Sequence, residues 1–251
     1  MNILGDLQRH LGDKIQNDRF SDLFREPLVG CARADDPLFA RISDYVGPHH
    51  LQPADMLPEV RSVISCFIPY SAKVVNSNRQ AGEAVSEEWA LAYLESRRLA
   101  DEVGRETVER WIALGLKGAL VPPDLNYDEA ALRSSWSHRS AAYIAGLGRF
   151  GLNNLMITPS GCAGRLFTLF TSAELEPGRP LGEELCLHHK QGRCGYCLSH
   201  CPQRALSREE NFDRFKCHER LLEVSGDFNY LNRLCDVCGK CAVGPCALAA
   251  G

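Results

Sequence analysis

Nine of the twelve cysteines in this chain lie between Cys186 and Cys246, and their spacing constrains the fold more than any other feature. The first group reads Cys186-x7-Cys194-x2-Cys197-x3-Cys201-Pro202, and the second reads Cys235-x2-Cys238-x2-Cys241-x4-Cys246, with Cys217 between them. A Cys-x2-Cys-x3-Cys-Pro run bends the backbone around an iron–sulfur cluster and sends the cysteine before proline to another one. Two [4Fe–4S] cubes need eight thiolates, and nine are present. Structural zinc also uses Cys-x2-Cys pairs, but it closes four ligands in one compact knuckle, whereas the first group here ends in Cys-Pro. Disulfides are disfavoured because the amino terminus, Met1 to His10, carries charges and no apolar core of signal-peptide length, which points to a reducing cytoplasm.

Ligands are assigned by analogy with two-cluster ferredoxins, where three cysteines of one motif share a cube with the last cysteine of the other. The analogy gives Cys186, Cys194, Cys197 and Cys246 to one cube and Cys201, Cys217, Cys238 and Cys241 to its partner. The usual first ligand would sit three residues before Cys194, where this chain has Gln191, so Cys186 reaches in across a longer loop. Cys235 is the spare, and spacing leaves open that it replaces Cys217 or Cys241. Cys31, Cys66 and Cys162 are scattered, as small buried apolar residues are.

With 251 residues and 45% apolar content, the chain can bury a sizeable core of one or two domains. A formal charge of −4 with dispersed Lys and Arg argues against nucleic acid, and no run has membrane-spanning length. Residues 1–175 read as a mixed α/β layer and 176–251 as the cysteine-rich module. Within the layer, Ser62–Pro69 is a buried strand stopped by proline. Residues 86–114 form the longest helix, capped by Ser86 with Glu87 and Glu88 at its positive end, and Gly115 and Gly118 stop it before a strand at 119–121.

A second informative segment runs Ser137-His-Arg-Ser-Ala-Ala-Tyr-Ile-Ala-Gly146-Leu-Gly148-Arg-Phe-Gly151-Leu-Asn153-Asn154-Leu-Met-Ile157. It matches Gly-x-Gly-x-x-Gly by letter count, but a dinucleotide fingerprint needs strand, turn, then helix. Here a helix capped by Ser137 precedes the glycines and a strand follows them, so a nicotinamide site is rejected. His138 and Arg139 could meet an anionic group or merely cap the helix. His188, His189, His200 and His218 neighbour cysteines, where hydrogen bonding or exposure outweighs ligation.

Together with Leu57–Ser65, that segment and the cysteine module resemble the epoxyqueuosine reductase family and its shorter paralogues, and more distantly the reductive dehalogenases. The resemblance implies an α+β protein: an amino-terminal α/β domain that holds a corrinoid such as cobalamin, covered by a bicluster ferredoxin-like module. It also implies that Gly146, Gly148, Gly151 and Asn153 form a loop against a flat cofactor, glycine removing the Cβ atoms that would intervene. Departures are plain. The family's Asp-Tyr-His proton-donor segment has no counterpart in residues 71–86, where Glu83, Glu87 and Glu88 are the nearest acids. The chain stops five residues after Cys246, without the family's tRNA-binding helical repeats. The expected activity is therefore an iron–sulfur oxidoreductase with two [4Fe–4S] clusters. It takes electrons from an external ferredoxin- or flavodoxin-type donor and passes them to a small-molecule substrate or cofactor. The rival reading is a non-catalytic electron carrier; a deep pocket facing the Cys186 group would favour the enzyme.

Overall fold

The computed structural model of the chain describes residues 2–122, 128, 130–209 and 212–248. Its centre is a four-stranded sheet. The strand Ser62–Pro69 (β2) is buried at every position, as its nearly unbroken apolar sequence requires. Leu28–Arg33 (β1) pairs with one edge of β2 and Gly164–Thr171 (β6) with the other, and Gly118–Leu120 (β3) completes the order β1-β2-β6-β3. Every pairing is antiparallel. The layer expected as α/β is therefore an antiparallel sheet with helices on both faces, an α+β arrangement.

Three helices cover one face. Ile3–Gln16 (α1) buries Ile3, Leu7, Leu11 and Ile15, a four-residue repeat that keeps one stripe inward. Ala72–Gln80 (α4) and Glu87–Ala113 (α5) pack beside it. The side chain of Ser86 caps α5 by accepting the Trp89 N–H. The other face is covered by Pro37–Val46 (α2) and His138–Ile144 (α6), with Phe39, Ile42, Trp136, Ile144 and Phe170 forming its core. A one-turn helix, Pro53–Met56 (α3), leads into β2.

After α6 the chain makes a two-stranded hairpin, Arg149–Phe150 (β4) and Met156–Ile157 (β5), whose tip is the segment 151–155. The cysteine-rich segment carries only short helices, Leu187–Gln191 (α7) and Tyr196–Ser199 (α8), besides the longer Arg214–Asp227 (α9). It has no separate core: Cys186, Val224, Phe228, Cys235, Val237, Val243 and Ala247 join the cluster formed by α1, α4, α5 and the sheet. Among the described residues no helix is long and apolar enough to cross a membrane.

Candidate functional site

The β4–β5 hairpin tip separates two cavities. One is small and is lined by Cys186, Cys194, Cys197 and Cys246, together with Leu152, Asn153, His188 and Cys241. The other has a volume of about 1340 Å³ and is walled by α2, α6 and the segments that follow Cys186 and Cys201. Gly151, Leu152 and Asn154 line the large cavity, Leu152 and Asn153 line the small one, and Leu152 is thus a wall common to both. The tip holds this position because Gly151 N–H donates to the Leu155 carbonyl at 2.9 Å and Asn154 adopts a left-handed turn with φ 58°.

Five cysteines line the small cavity: the four that the ferredoxin analogy put in one cube, and Cys241 from the other set. Cys201, Cys217, Cys238 and Cys241 form a second neighbourhood: Cys238 and Cys201 both push the Cys217 thiol up, to about 11 with burial as the main cause. The same neighbours and Cys217 raise Cys241 further, again after burial. Cys235 stands apart. It is wholly buried, its Sγ lies 4.0 Å from the Ala90 carbonyl, and its closest charges are Asp236 and Arg233. Among the described residues no three His, Cys, Asp or Glu side chains converge tightly enough for a single metal ion.

Side chains of α4 hold the backbone of the second neighbourhood. Asn78 Nδ2 donates to the Cys238 carbonyl at 3.0 Å, and the buried Lys240 Nζ donates to Asn78 O and Oδ1 at 2.5 and 3.0 Å. Arg79 Nε donates to the Val243 carbonyl at 2.7 Å. Gly239, between Cys238 and Cys241, has φ 72° and lies so close to the Trp89 ring that a Cβ would overlap it.

Of the residues that the resemblance set against a flat cofactor, Gly151 lines the large cavity, Asn153 lines the cysteine cavity, and Gly146 and Gly148 line neither. Gly146 ends α6 with φ 77° against the Arg179 carbonyl, and Gly148 lies against the Ile157 carbonyl. Neither lines the large cavity; what approaches them is the chain's own backbone. Gly151 does line it, and Asn153 turns to the cysteine side, where its Nδ2 donates to the Cys241 carbonyl at 3.0 Å.

His138 and Arg139, ambiguous in sequence, both line the large cavity. Trp136 Nε1 donates to Thr168 Oγ1 at 3.3 Å, and that hydroxyl lies 2.8 Å from His138 Nδ1. The hydroxyl keeps a second lone pair beside the one that accepts from Trp136, so the imidazole tautomer sets which of Thr168 and His138 donates. Burial, aided by the Arg165 charge, pushes the His138 imidazole down to about 4, so it is neutral near pH 7. Arg139 donates to the Asn154 carbonyl; burial lowers its affinity for the proton, and the Cys241 and Cys217 sulfurs oppose that. Arg41, Arg133 and Arg214 join it, with His49, His50 and His189, and no described lining residue is acidic. Nothing in the sequence singled out Arg41, Arg133 or Arg214, because only the fold brings α2, the segment before α6 and the start of α9 to one cavity. Glu83, Glu87 and Glu88 lie outside it.

An antiparallel sheet between two helical layers, closed by a cysteine-rich tail, is an α+β fold found in two groups of solved structures. One is epoxyqueuosine reductase. The Bacillus subtilis enzyme superimposes with a TM-score of 0.56 at 19% identity, covering 97% of this chain and 66% of that one. The Streptococcus thermophilus enzyme gives 0.54 at 18% identity, covering 98% and 66%. The chain thus spans just under two thirds of those reductases. The other group is represented by a catabolic reductive dehalogenase, with a TM-score of 0.52 at 16% identity, covering 76% of this chain and 26% of that one. No protein-family model and no curated protein matches the chain.

Proposed function

We propose that this chain is an iron–sulfur oxidoreductase that carries two [4Fe–4S] clusters and passes low-potential electrons to a cofactor or substrate in the large cavity. On this reading residues 176–251 are the two-cluster module and 1–175 hold the electron acceptor. Cys186, Cys194, Cys197 and Cys246 ligate one cluster; Cys201, Cys217, Cys238 and Cys241 ligate the other. The donor set fits such a group. Burial and like charge hold Cys197, Cys217 and Cys241 protonated when no cation is near, so a bound metal centre in their midst would make thiolates of them. His188 Nδ1 is also buried without a hydrogen-bond partner on the wall of the cysteine-lined cavity, where sulfide or thiolate can accept from it. When bound, the clusters supply single electrons at potentials set by exposure and by hydrogen bonds to sulfur.

The observation that carries the proposal is Leu152, which lines both cavities. An acceptor in the large cavity is separated from the Cys186 group by one hairpin tip, a placement that a simple electron carrier does not need. The large cavity exceeds the roughly 300–1,000 Å³ of ordinary small-molecule sites. Its arginines favour an occupant with negative charge. A corrinoid is the favoured occupant, supported by the resemblance around residues 137–157. Epoxyqueuosine reductase has been solved with a tRNA stem loop; for this chain we assign a small molecule or cofactor, reduced by way of an external ferredoxin- or flavodoxin-type donor.

The test is anaerobic purification followed by metal analysis and titration with cob(II)alamin. About eight iron and eight sulfide per chain, broad visible absorbance and saturable perturbation of the corrinoid spectrum are expected. Stoichiometric zinc with no visible absorbance would sink the proposal. Full iron without corrinoid binding would remove the corrinoid and leave another anionic acceptor.

A further inference from the structure

Cys162 belongs to neither cysteine motif, yet the fold brings it to one of them. Its Sγ lies 3.7 Å from Cys246 Sγ, and the two residues also share a backbone hydrogen bond, Cys162 N–H to the Cys246 carbonyl at 2.9 Å. Cys162 is only 6% exposed and is absent from the lining of the cysteine cavity, so it stands behind Cys246. Asn153 fixes its orientation. Asn153 Oδ1 accepts the Leu155 N–H at 3.2 Å, and Asn153 Nδ2 donates both to the Cys241 carbonyl and, at 3.7 Å, to Cys162 Sγ. A sulfur that accepts from Asn153 has its own S–H free to donate. Two acceptors are in range, Cys246 Sγ and the Ala242 carbonyl at 3.8 Å. A cluster-bound thiolate carries charge and a carbonyl does not, so Cys246 takes the hydrogen.

We propose that Cys162 is a positioning residue whose thiol donates a hydrogen bond to the Cys246 sulfur and thereby raises the reduction potential of the cluster that Cys246 ligates. The inference rests on the cluster assignment above. A donor to a ligating sulfur stabilises the added negative charge of the reduced cluster, so it favours reduction. Asn153 supports the same contact while touching the Cys241 segment, which places one amide between the two cysteine neighbourhoods. Cys162 therefore gives the chain a means of setting the two clusters at different potentials.

The test is a redox titration of the anaerobically purified protein, monitored by electron paramagnetic resonance, for wild type, Cys162→Ala, Cys162→Ser and Cys235→Ala. Cys162→Ala should keep all the iron and move one of the two cluster signals to more negative potential, leaving the other in place. Cys162→Ser retains a donor and should move that signal less. Cys235→Ala removes a buried thiol elsewhere and should move neither. Unmoved potentials in Cys162→Ala, with normal iron content, would overturn the inference and leave the proposed function standing. Loss of one cluster's iron in Cys162→Ala would make it a ligand and overturn the inference likewise. A wild type without cluster signals would overturn the proposed function, and the inference with it.

Discussion

Gly148 shows how a residue's role depends on what approaches it. A methyl group there would meet the Ile157 carbonyl, which belongs to the hairpin strand β5 and cannot swing aside as a flexible side chain would. Gly148→Ala should therefore destabilise the fold by roughly 1–3 kcal/mol, read in thermal melts, with the loss independent of any ligand in the large cavity. A variant that melted like wild type but lost corrinoid binding would reassign the glycine to the cofactor. His138 gives a pH-dependent counterpart. Its imidazole folds neutral with a pKa pushed from 6.5 to about 4, so below 6.5 the unfolded chain binds a proton that the native state does not. Its favourable contribution is fully present above about pH 6.5 and is lost as pH falls toward 4. Melts at about pH 7.5 and about pH 5.5 should differ more for wild type than for His138→Gln; equal differences would mean that other groups set the acid sensitivity. The two cysteine motifs were legible in sequence because their spacings are short, whereas the nearness of Cys162 to Cys246 was not. The glycines were only half legible: their need for a close approach is written locally, but the approaching atom, the Ile157 or Arg179 carbonyl, is chosen by the fold.

At the scale of elements, β2, the Ser86-capped helix α5 and the Ser137-capped α6 were readable because burial pattern and cap chemistry are local. The antiparallel order was not, since strand pairing across a long insertion leaves no periodic trace. Nor was the use of α4, a polar helix whose Asn78 and Arg79 clamp the second cysteine neighbourhood. Asn78 is fully buried and serves as donor to Cys238 and acceptor for Lys240. Removing its amide takes one of two Asn78 acceptors from the Lys240 ammonium, already destabilised by burial, and takes the Asn78 donor from the Cys238 carbonyl. Asn78→Ala should cost about 2 kcal/mol and lower the iron retained by the Cys201–Cys217–Cys238–Cys241 group. Melting temperature and iron content measured together check this; unchanged iron would show that α4 supports the loop without holding the ligands in register.

The whole molecule behaves as one body if its core is a guide. Trp89, Ala90 and Ala92 on α5 belong to the same buried cluster as Val224, Phe228, Val237 and Val243, so the cysteine-rich tail and the sheet layer bury each other. The buried Glu95 adds a polar tie, accepting from Arg98 Nε and, across to the tail, from Arg233 Nη1, both at 2.7 Å. The tail itself has little regular structure and no separate core, so on the proposed reading its order depends on the clusters and on the surface it covers. Stripping the iron with a chelator should thus do more than loosen residues 176–251. It should uncover the apolar face of α5 and lower the melting temperature of the sheet layer as well, in a single cooperative transition for the loaded protein. Amide hydrogen exchange before and after chelation separates the alternatives. Faster exchange in β2 and α5 on loss of iron is expected; protection in β2 and α5 that survives chelation, while only the tail exchanges, would show that the amino-terminal layer is stable alone and that the shared core is an interface between two independent units.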